Sequence, residues 1–290
     1  MRLICAMSML ACAMSGMIAR ADELPMVYFQ AHRGGLEEAP ENTMAAVRHA
    51  WSIPGAVPEV DLRTSSDGRI LCLHDATLAR TTNASEPLRS TPVSKLTIEQ
   101  IQSVDAGVTF GPEFMGERVP ELDAVLLELT REPGRQIYLD IKDVTDSALQ
   151  AAMEKHSCIE QVLFVHGNPV RCAELQELFP GSRTMTWISG TPDRIRQRYT
   201  EIRETGFRGI SQLQFHLQTL ENEGTIQYVL EPAFLAEAVA SGRAKGVAIQ
   251  VRPFDFDTQS LRKLVGLGIH WYVADAPERF YRALTGKAAE

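Results

Sequence analysis

The chain has 290 residues with a formal net charge of −8, and this acidic balance argues against a polyanion such as DNA as partner. Its length lies above the common domain size but within the range that α/β barrels occupy as a single unit, so one domain is expected. Of the five cysteines, only Cys72, Cys158 and Cys172 lie beyond the first turns of chain, too few for a disulfide-stapled scaffold.

The first residues read as a secretory signal peptide. Met1-Arg2 gives a positive start, Leu3 to Ile18 carries no charge, and Ala19-Arg20-Ala21 is a small-x-small cleavage pattern before Asp22. The uncharged run is shorter than the ~20 residues that span a bilayer, so a membrane anchor is the weaker reading. The expected organisation is a leader over 1–21 and a domain over 22–290, exported to the periplasm or the medium. No later stretch is long or apolar enough for stable membrane insertion.

From there, short β-branched or apolar runs recur at Val27–Ala31, Val57–Leu62, Gln136–Lys142, Gln161–Val165, Thr184–Ile188, Gly209–Phe215, Gly246–Val251 and Trp271–Ala274. Amphipathic stretches alternate with them at Thr43–Trp51, Leu122–Thr130, Ser147–Lys155, Val170–Leu178, Pro192–Arg203, Pro232–Ser241, Thr258–Leu267 and Pro277–Leu284. This alternation predicts a parallel sheet, and eight units in a chain of this size predict closure into a (β/α)8 TIM barrel. No GxGxxG or P-loop string follows any strand, which removes the support for a nucleotide-binding open sheet. Residues 76–120 interrupt the rhythm with Thr, Asn, Ser, Pro and Gly clusters and one short helical pattern at Thr97–Val104. They form a long excursion after the second strand, of the kind that serves as a lid or binding loop.

The ionisable residues gather where such a barrel does chemistry. Glu59 and Asp61 are two apart in a strand and project to the same side, as do Asp140 and Lys142. Together with His32 they fall at or near C-terminal strand ends, the functional rim of the fold. Carboxylates buried together repel unless a cation compensates, and oxygen ligands select a hard divalent ion, Mg2+ or Ca2+, rather than zinc. His32 and His74 each end an apolar run beside a charged neighbour, Arg33 or Asp75, and can exchange protons near neutral pH. His49, His156, His166, His216 and His270 read as structural or surface residues. Pro40-Glu41-Asn42-Thr43 is a helix start with Asn42 as the N-cap and Glu41 compensating the dipole, and Gly34-Gly35 permits a tight turn. Glu59-x-Asp61 by itself is equally a solvated strand end.

Taken in order, these strings resemble the glycerophosphodiester phosphodiesterase family. The resemblance rests on HRG at His32–Gly34, PENT at Pro40–Thr43, EVDLRTSSDGRILCLHD at Glu59–Asp75 and LARTTN at Leu78–Asn83. It continues through Val104–Leu126, LDIK at Leu139–Lys142 and VADAP at Val273–Pro277, while Val144 to Lys245 shows little that is diagnostic. The resemblance implies a metal-dependent TIM barrel in which His32 and His74 are the acid/base pair. It also implies Glu59, Asp61 and Asp140 as metal ligands, Arg33 and Lys142 on the phosphate, and Glu41 supporting the substrate site. The implied reaction is hydrolysis of a small-molecule phosphodiester to an alcohol and glycerol phosphate. Two rivals stay open: a sphingomyelinase D-like phospholipase that forms a cyclic phosphate, and a non-catalytic barrel that binds a phosphorylated ligand. The chain departs from the family twice. Asp140 stands where the family usually has Glu, and Ile249-Gln250-Val251-Arg252 replaces a WTVN string, which exchanges an aromatic wall and an amide for a cation.

Overall fold

The computed structural model describes residues 26–220 and 224–287. The proposed leader over 1–21 lies outside the described residues. Eight parallel strands alternate with helices, in the order β1 (Tyr28–Ala31), α1 (Met44–Ser52), β2 (Ala56–Thr64), then β3 (Ile70–Cys72), α2 (Ile98–Gln102) and α3 (Leu122–Leu129). They continue with β4 (Ile137–Ile141), α4 (Asp146–His156), β5 (Val162–Val165), α5 (Pro169–Leu178), β6 (Arg183–Ile188), α6 (Pro192–Glu204) and β7 (Gln212–Leu217). The last elements are α7 (Pro232–Arg243), β8 (Ala248–Pro253), α8 (Thr258–Gly266), β9 (Trp271–Ala274) and α9 (Pro277–Thr285). The strands follow one another around the sheet as β1-β9-β8-β7-β6-β5-β4-β2, and parallel pairing of β1 with β2 closes the barrel. All eight expected strands are present.

The addition is β3. It runs antiparallel to β2, with Leu62 opposite Cys72 and Thr64 opposite Ile70, so β2 continues past the rim of the barrel and the chain folds back along it. Three residues are too few to carry a periodic signal, which is why this strand is invisible in sequence. Its consequence is large: the Leu73 N–H donates to the Asp61 carbonyl at 2.8 Å, and His74 is thereby returned to the level of the acidic strand residues.

Helices pack outside the barrel through two apolar clusters, one over β6 to β9 and one over β2, β4 and β5. Inside, the barrel departs from the branched apolar layers usual in this fold. Val57, Tyr138, Leu163, Val165 and Met185 form a small inner cluster. Next to it the Tyr138 hydroxyl donates to Gln212 Oε1 at 2.8 Å, and Gln250 Nε2 donates to the Tyr272 carbonyl at 3.0 Å. Buried glutamines therefore line the floor beneath the rim, where Gln212 Oε1 and Gln250 Nε2 are paired while Gln30 Oε1 and Gln250 Oε1 have no partner among the described residues.

The excursion over 76–120 is built around its own apolar cluster of Leu71, Leu73, Leu78, Val93, Leu96, Ile101, Val104 and Val119. Asp105 ties its far end together by accepting from the Gly107, Val108 and Gly116 backbone N–H groups. It is a packed lobe rather than a free loop, and its contribution to the site is made by a single side chain, Arg80. No helix among the described residues is long and apolar enough to cross a membrane.

Candidate active site

The HRGG turn after β1 sets the first part of the site. Arg33 adopts a left-handed conformation with φ 54°, unusual for a residue with a Cβ, and Gly34 follows at φ 83°. A Cβ on Gly34 would stand 2.6 Å from that of Ala46, so glycine is the residue that lets this turn sit against α1. The turn aims the Arg33 backbone N–H at Glu59 Oε2, at 2.7 Å. Strain of this kind collects at sites where geometry is used.

Asn42 is not the N-cap of α1. Thr43 takes that place, its hydroxyl accepting from the Ala46 N–H. Asn42, also left-handed at φ 59°, turns inward instead. Its Nδ2 donates to Asp61 Oδ2 at 2.9 Å while its Oδ1 accepts from the Asp61 N–H at 2.8 Å. Cap preference and left-handed tolerance belong to the same residue type, so the string alone could not separate the two roles.

Glu59, Asp61 and Asp140 come together on β2 and β4, where Asp61 pairs in register with Asp140. All three are buried, and one carboxylate oxygen from each lies within 4.8 Å of the others. Lys142 Nζ sits among them, 3.0 Å from Asp61 Oδ1 and 2.6 Å from Asp140 Oδ2. Burial, with repulsion from Asp61 and Asp140, pushes Glu59 well above the usual carboxylate range. Burial also raises Asp140, to about 6, against the pull of Lys142. For Asp61 the cost of burial is outweighed by Lys142 and Asn42, which hold it below its ordinary value. Lys142 and Arg33, whose Nε lies 3.6 Å from Asp61 Oδ2, are two cations for three buried carboxylates, and an all-oxygen donor set at this spacing fits a hard divalent cation. The shorter arm of Asp140 still reaches the cluster.

Each histidine leans on a carboxylate. His32 Nδ1 lies 2.7 Å from Asp275 Oδ1, and His74 Nδ1 lies 2.8 Å from Asp75 Oδ1. A contact that short to a carboxylate assigns the proton to Nδ1, leaving Nε2 of each ring free for chemistry. Asp275 is held in turn by Arg252 Nη2, at 2.8 and 2.9 Å from its two oxygens. His32 and Arg252 outweigh the cost of burial and keep Asp275 well below the usual carboxylate range. Burial, aided by Arg252, lowers His32 despite Asp275, so its imidazole is neutral at pH 7. Asp75 is fixed by Arg80, which also donates to Glu41 at 2.6 and 2.8 Å. Glu41 accepts from Arg33 Nη1 at 3.0 Å. It therefore stands behind Arg33 as a buttress and is not among the residues that line the cavity, a supporting place and not a direct contact to substrate.

The cavity at the barrel mouth has a volume of about 300 Å3 and is lined by His32, Arg33, Glu59, Asp61, His74, Asp140 and Lys142. The seven sequence-assigned residues that face it thus share one space, while Glu41 does not. Sequence reading missed Trp187 and His216 on the same wall and Asp275 behind His32, while Arg252, the cation expected from the Ile249–Arg252 departure, lines the cavity beside them. His216 was set aside as structural, yet it sits at the C-terminal end of β7, and Asp275 follows β9 directly. The strand-end rule that selected Asp61 would have selected both. A larger groove between α5 and α6 holds no converging set of titratable groups of this kind.

Burial, with Arg252 and His32 nearby, depresses His216 to about 4. Between that value and 6.5 the unfolded chain takes up a proton that the folded chain refuses, so stability present above pH 6.5 is lost as pH falls toward 4. The loss is at most about 3 kcal/mol. Thermal melts of His216→Gln should be flatter than wild type across this window, and parallel curves would show that His216 does not carry the effect.

A (β/α)8 barrel with a buried acidic cluster, two carboxylate-oriented imidazoles and the cations Arg33, Lys142 and Arg252 at its C-terminal mouth carries the groups that phosphate-ester chemistry requires. The profile of the Glycerophosphoryl diester phosphodiesterase family matches residues 32–279, and the chain belongs to that family. A Bacillus subtilis (strain 168) relative named for this activity is 39% identical over 113 residues, covering 39% of this chain and 44% of the relative. The glycerophosphodiester phosphodiesterase of Caldanaerobacter subterraneus is 30% identical over 156 residues, covering 52% and 62% respectively. These matches span less than two thirds of either relative. The fold is shared with an Agrobacterium tumefaciens glycerophosphodiester phosphodiesterase, with TM-score 0.68 and 24% identity over 88% of this chain and 99% of that one. It is shared also with an Oleispira antarctica phosphodiesterase solved with its product sn-glycerol-3-phosphate, with TM-score 0.67 and 21% identity over 90% of this chain and 97% of that one.

Proposed function

We propose that this protein is an exported, divalent-cation-dependent phosphodiesterase that hydrolyses glycerophosphodiesters to an alcohol and glycerol phosphate. The observation that carries the reading is the single small cavity in which both Nε2-presenting imidazoles meet the acidic cluster, Arg33 and Lys142. Its volume is at the low end for ligand sites and suits a deacylated diester rather than a lipid with acyl chains. The export signal read in residues 1–21 supports action outside the cytoplasm.

Glu59, Asp61 and Asp140 are the residues that would hold the cation, and a hard divalent ion there supplies Lewis-acid neutralisation of phosphate charge. The rest of the reaction belongs to the side chains. Arg33 and Lys142 bind and orient the phosphate oxygens and offset the negative charge that grows on them in the transition state. His32, kept neutral by its surroundings, accepts a proton of the attacking water at Nε2 as the water oxygen bonds to phosphorus, while Asp275 steadies the imidazolium that forms. The departing alcohol oxygen takes its proton from Nε2 of His74 in the imidazolium form, whose ring Asp75 holds through Nδ1. Asn42 keeps Asp61 turned toward the cluster, and Arg80 braces both Asp75 and Glu41.

Release of glycerol 3-phosphate from glycerophosphocholine, glycerophosphoethanolamine and glycerophosphoglycerol, followed by phosphorus NMR, tests this. Turnover is expected to stop in EDTA and return with Mg2+ or Ca2+. A cyclic phosphate as the final product would transfer the protein to the phospholipase-type reading, and silence toward every diester with every added ion would defeat the hydrolytic one.

A further inference from the structure

The strand order determines what looks across at the acidic cluster. Around the closed barrel, β7 and β8 lie diametrically opposite β2 and β4. His216 and Arg252 enter the cavity from that far wall, with Trp187 of β6 beside them. A diester whose phosphate sits at Lys142 and the carboxylates meets Arg252 with any substituent that lies across the cavity.

That wall is a donor surface. The Arg252 side chain is 16% exposed and spends Nη2 on Asp275, while its Nε and Nη1 donate to no acceptor among the described residues. Asp275 is the carboxylate paired with Arg252, and its two oxygens already accept from His32 Nδ1 and twice from Arg252. The Phe254 ring has its face taken by the same guanidinium, 5.2 Å from the ring centre. An ammonium head group would find no carboxylate among the residues of β6, β7 and β8 that line the cavity and would meet a cation. A carboxylate or phosphate monoester would receive charge-assisted hydrogen bonds from the open side of the fork.

We propose that Arg252, with His216 beside it, is a specificity-determining residue that selects glycerophosphodiesters whose second substituent carries an oxyanion over those that carry a quaternary ammonium. This rests on the phosphodiesterase reading above and names the substrate class of the same site.

The test compares kcat/KM on four diesters: a glycerophosphoglycerol phosphate, a glycerophosphoglycolate, neutral glycerophosphoglycerol and glycerophosphocholine. Wild type should prefer both anionic substrates to the choline ester by roughly 10–100-fold, the worth of one or two hydrogen bonds to a charged group. Arg252→Asn should erase most of that ratio through KM, and Arg252→Lys, which keeps the charge without the fork, should retain part of it for the phosphate monoester. Any loss caused by disturbing Asp275 and His32 affects all four alike and divides out of the ratio. An equal fall for every substrate, or a wild type that prefers the choline ester, would overturn the proposal. Calorimetric binding of the same diesters reads the same ratio without turnover, so an inactive wild type would count against the hydrolytic reading and leave the selectivity decided by binding.

Discussion

His32→Ala is expected to lower kcat by ~10^2–10^4, with KM little changed, because an acid/base group acts on the transition state and not on the bound diester. His74→Ala should fall in the same range. The two together should cost less than the product of the single losses, since proton removal and proton delivery serve one displacement. Substrate choice separates the roles. An aryl or otherwise acidic leaving alcohol needs no proton, so it should rescue His74→Ala and leave His32→Ala slow. Rescue of both, or of neither, would break the assignment of His32 as base and His74 as acid. Circular dichroism melts are needed beside these rates only for His32, whose removal strands Asp275 beside Arg252. His74 is about a third exposed and its loss should barely move the melt.

Glu59→Gln is expected to remove the stabilisation that a divalent cation confers, and activity with it. An ion bound at 100 times its dissociation constant adds ~2.7 kcal/mol to the folded state, roughly 5–10 °C in Tm for a domain of this size. Glu59 is raised well above its ordinary value by burial and by Asp61 and Asp140, so the folded chain holds a proton that the unfolded chain gives up at lower pH. Stability from that group is present at low pH and is lost as pH rises through the raised value. Cation binding releases the proton, so the Tm gain with Mg2+ or Ca2+ should be larger at pH 8 than at pH 5.5. A gain of equal size at both pH values, or one that survives in Glu59→Gln, would remove these carboxylates from the cation site.

Much of the architecture is legible in the chain because it is local. Eight apolar runs of four to seven residues separated by amphipathic turns of helix report burial of strands on both faces, and the observed strands differ from the expected ones by only a few residues at either end. Glu59, Asp61, Asp140 and Lys142 could be placed on one rim since alternation along a strand and its C-terminal end are both readable from position. The reading failed where one residue type serves two purposes. Asn42 suits a cap as well as a carboxylate brace, and Glu41 suits a helix start as well as an ion pair with Arg33 and Arg80. His216 has the strand-end position of a site residue, but its partner across the sheet, Arg252, follows only from the pairing of β7 with β8.

By itself the sequence determined the alternation of strands and helices and the strand-end placement of the acidic residues, which follow from period within short windows, while the barrel followed from counting eight units and the pairing of His32 with His74 from the family resemblance. The tertiary structure decided the partners. Closure of β1 onto β9 brings Asp275 to His32 across 243 positions of sequence, the β3 hairpin returns His74 to the rim, and the strand order sets Arg252 opposite the carboxylates. Those distances depend on how many strands the sheet contains when it closes and on where it is hydrogen-bonded, a property of the whole chain that no local pattern encodes.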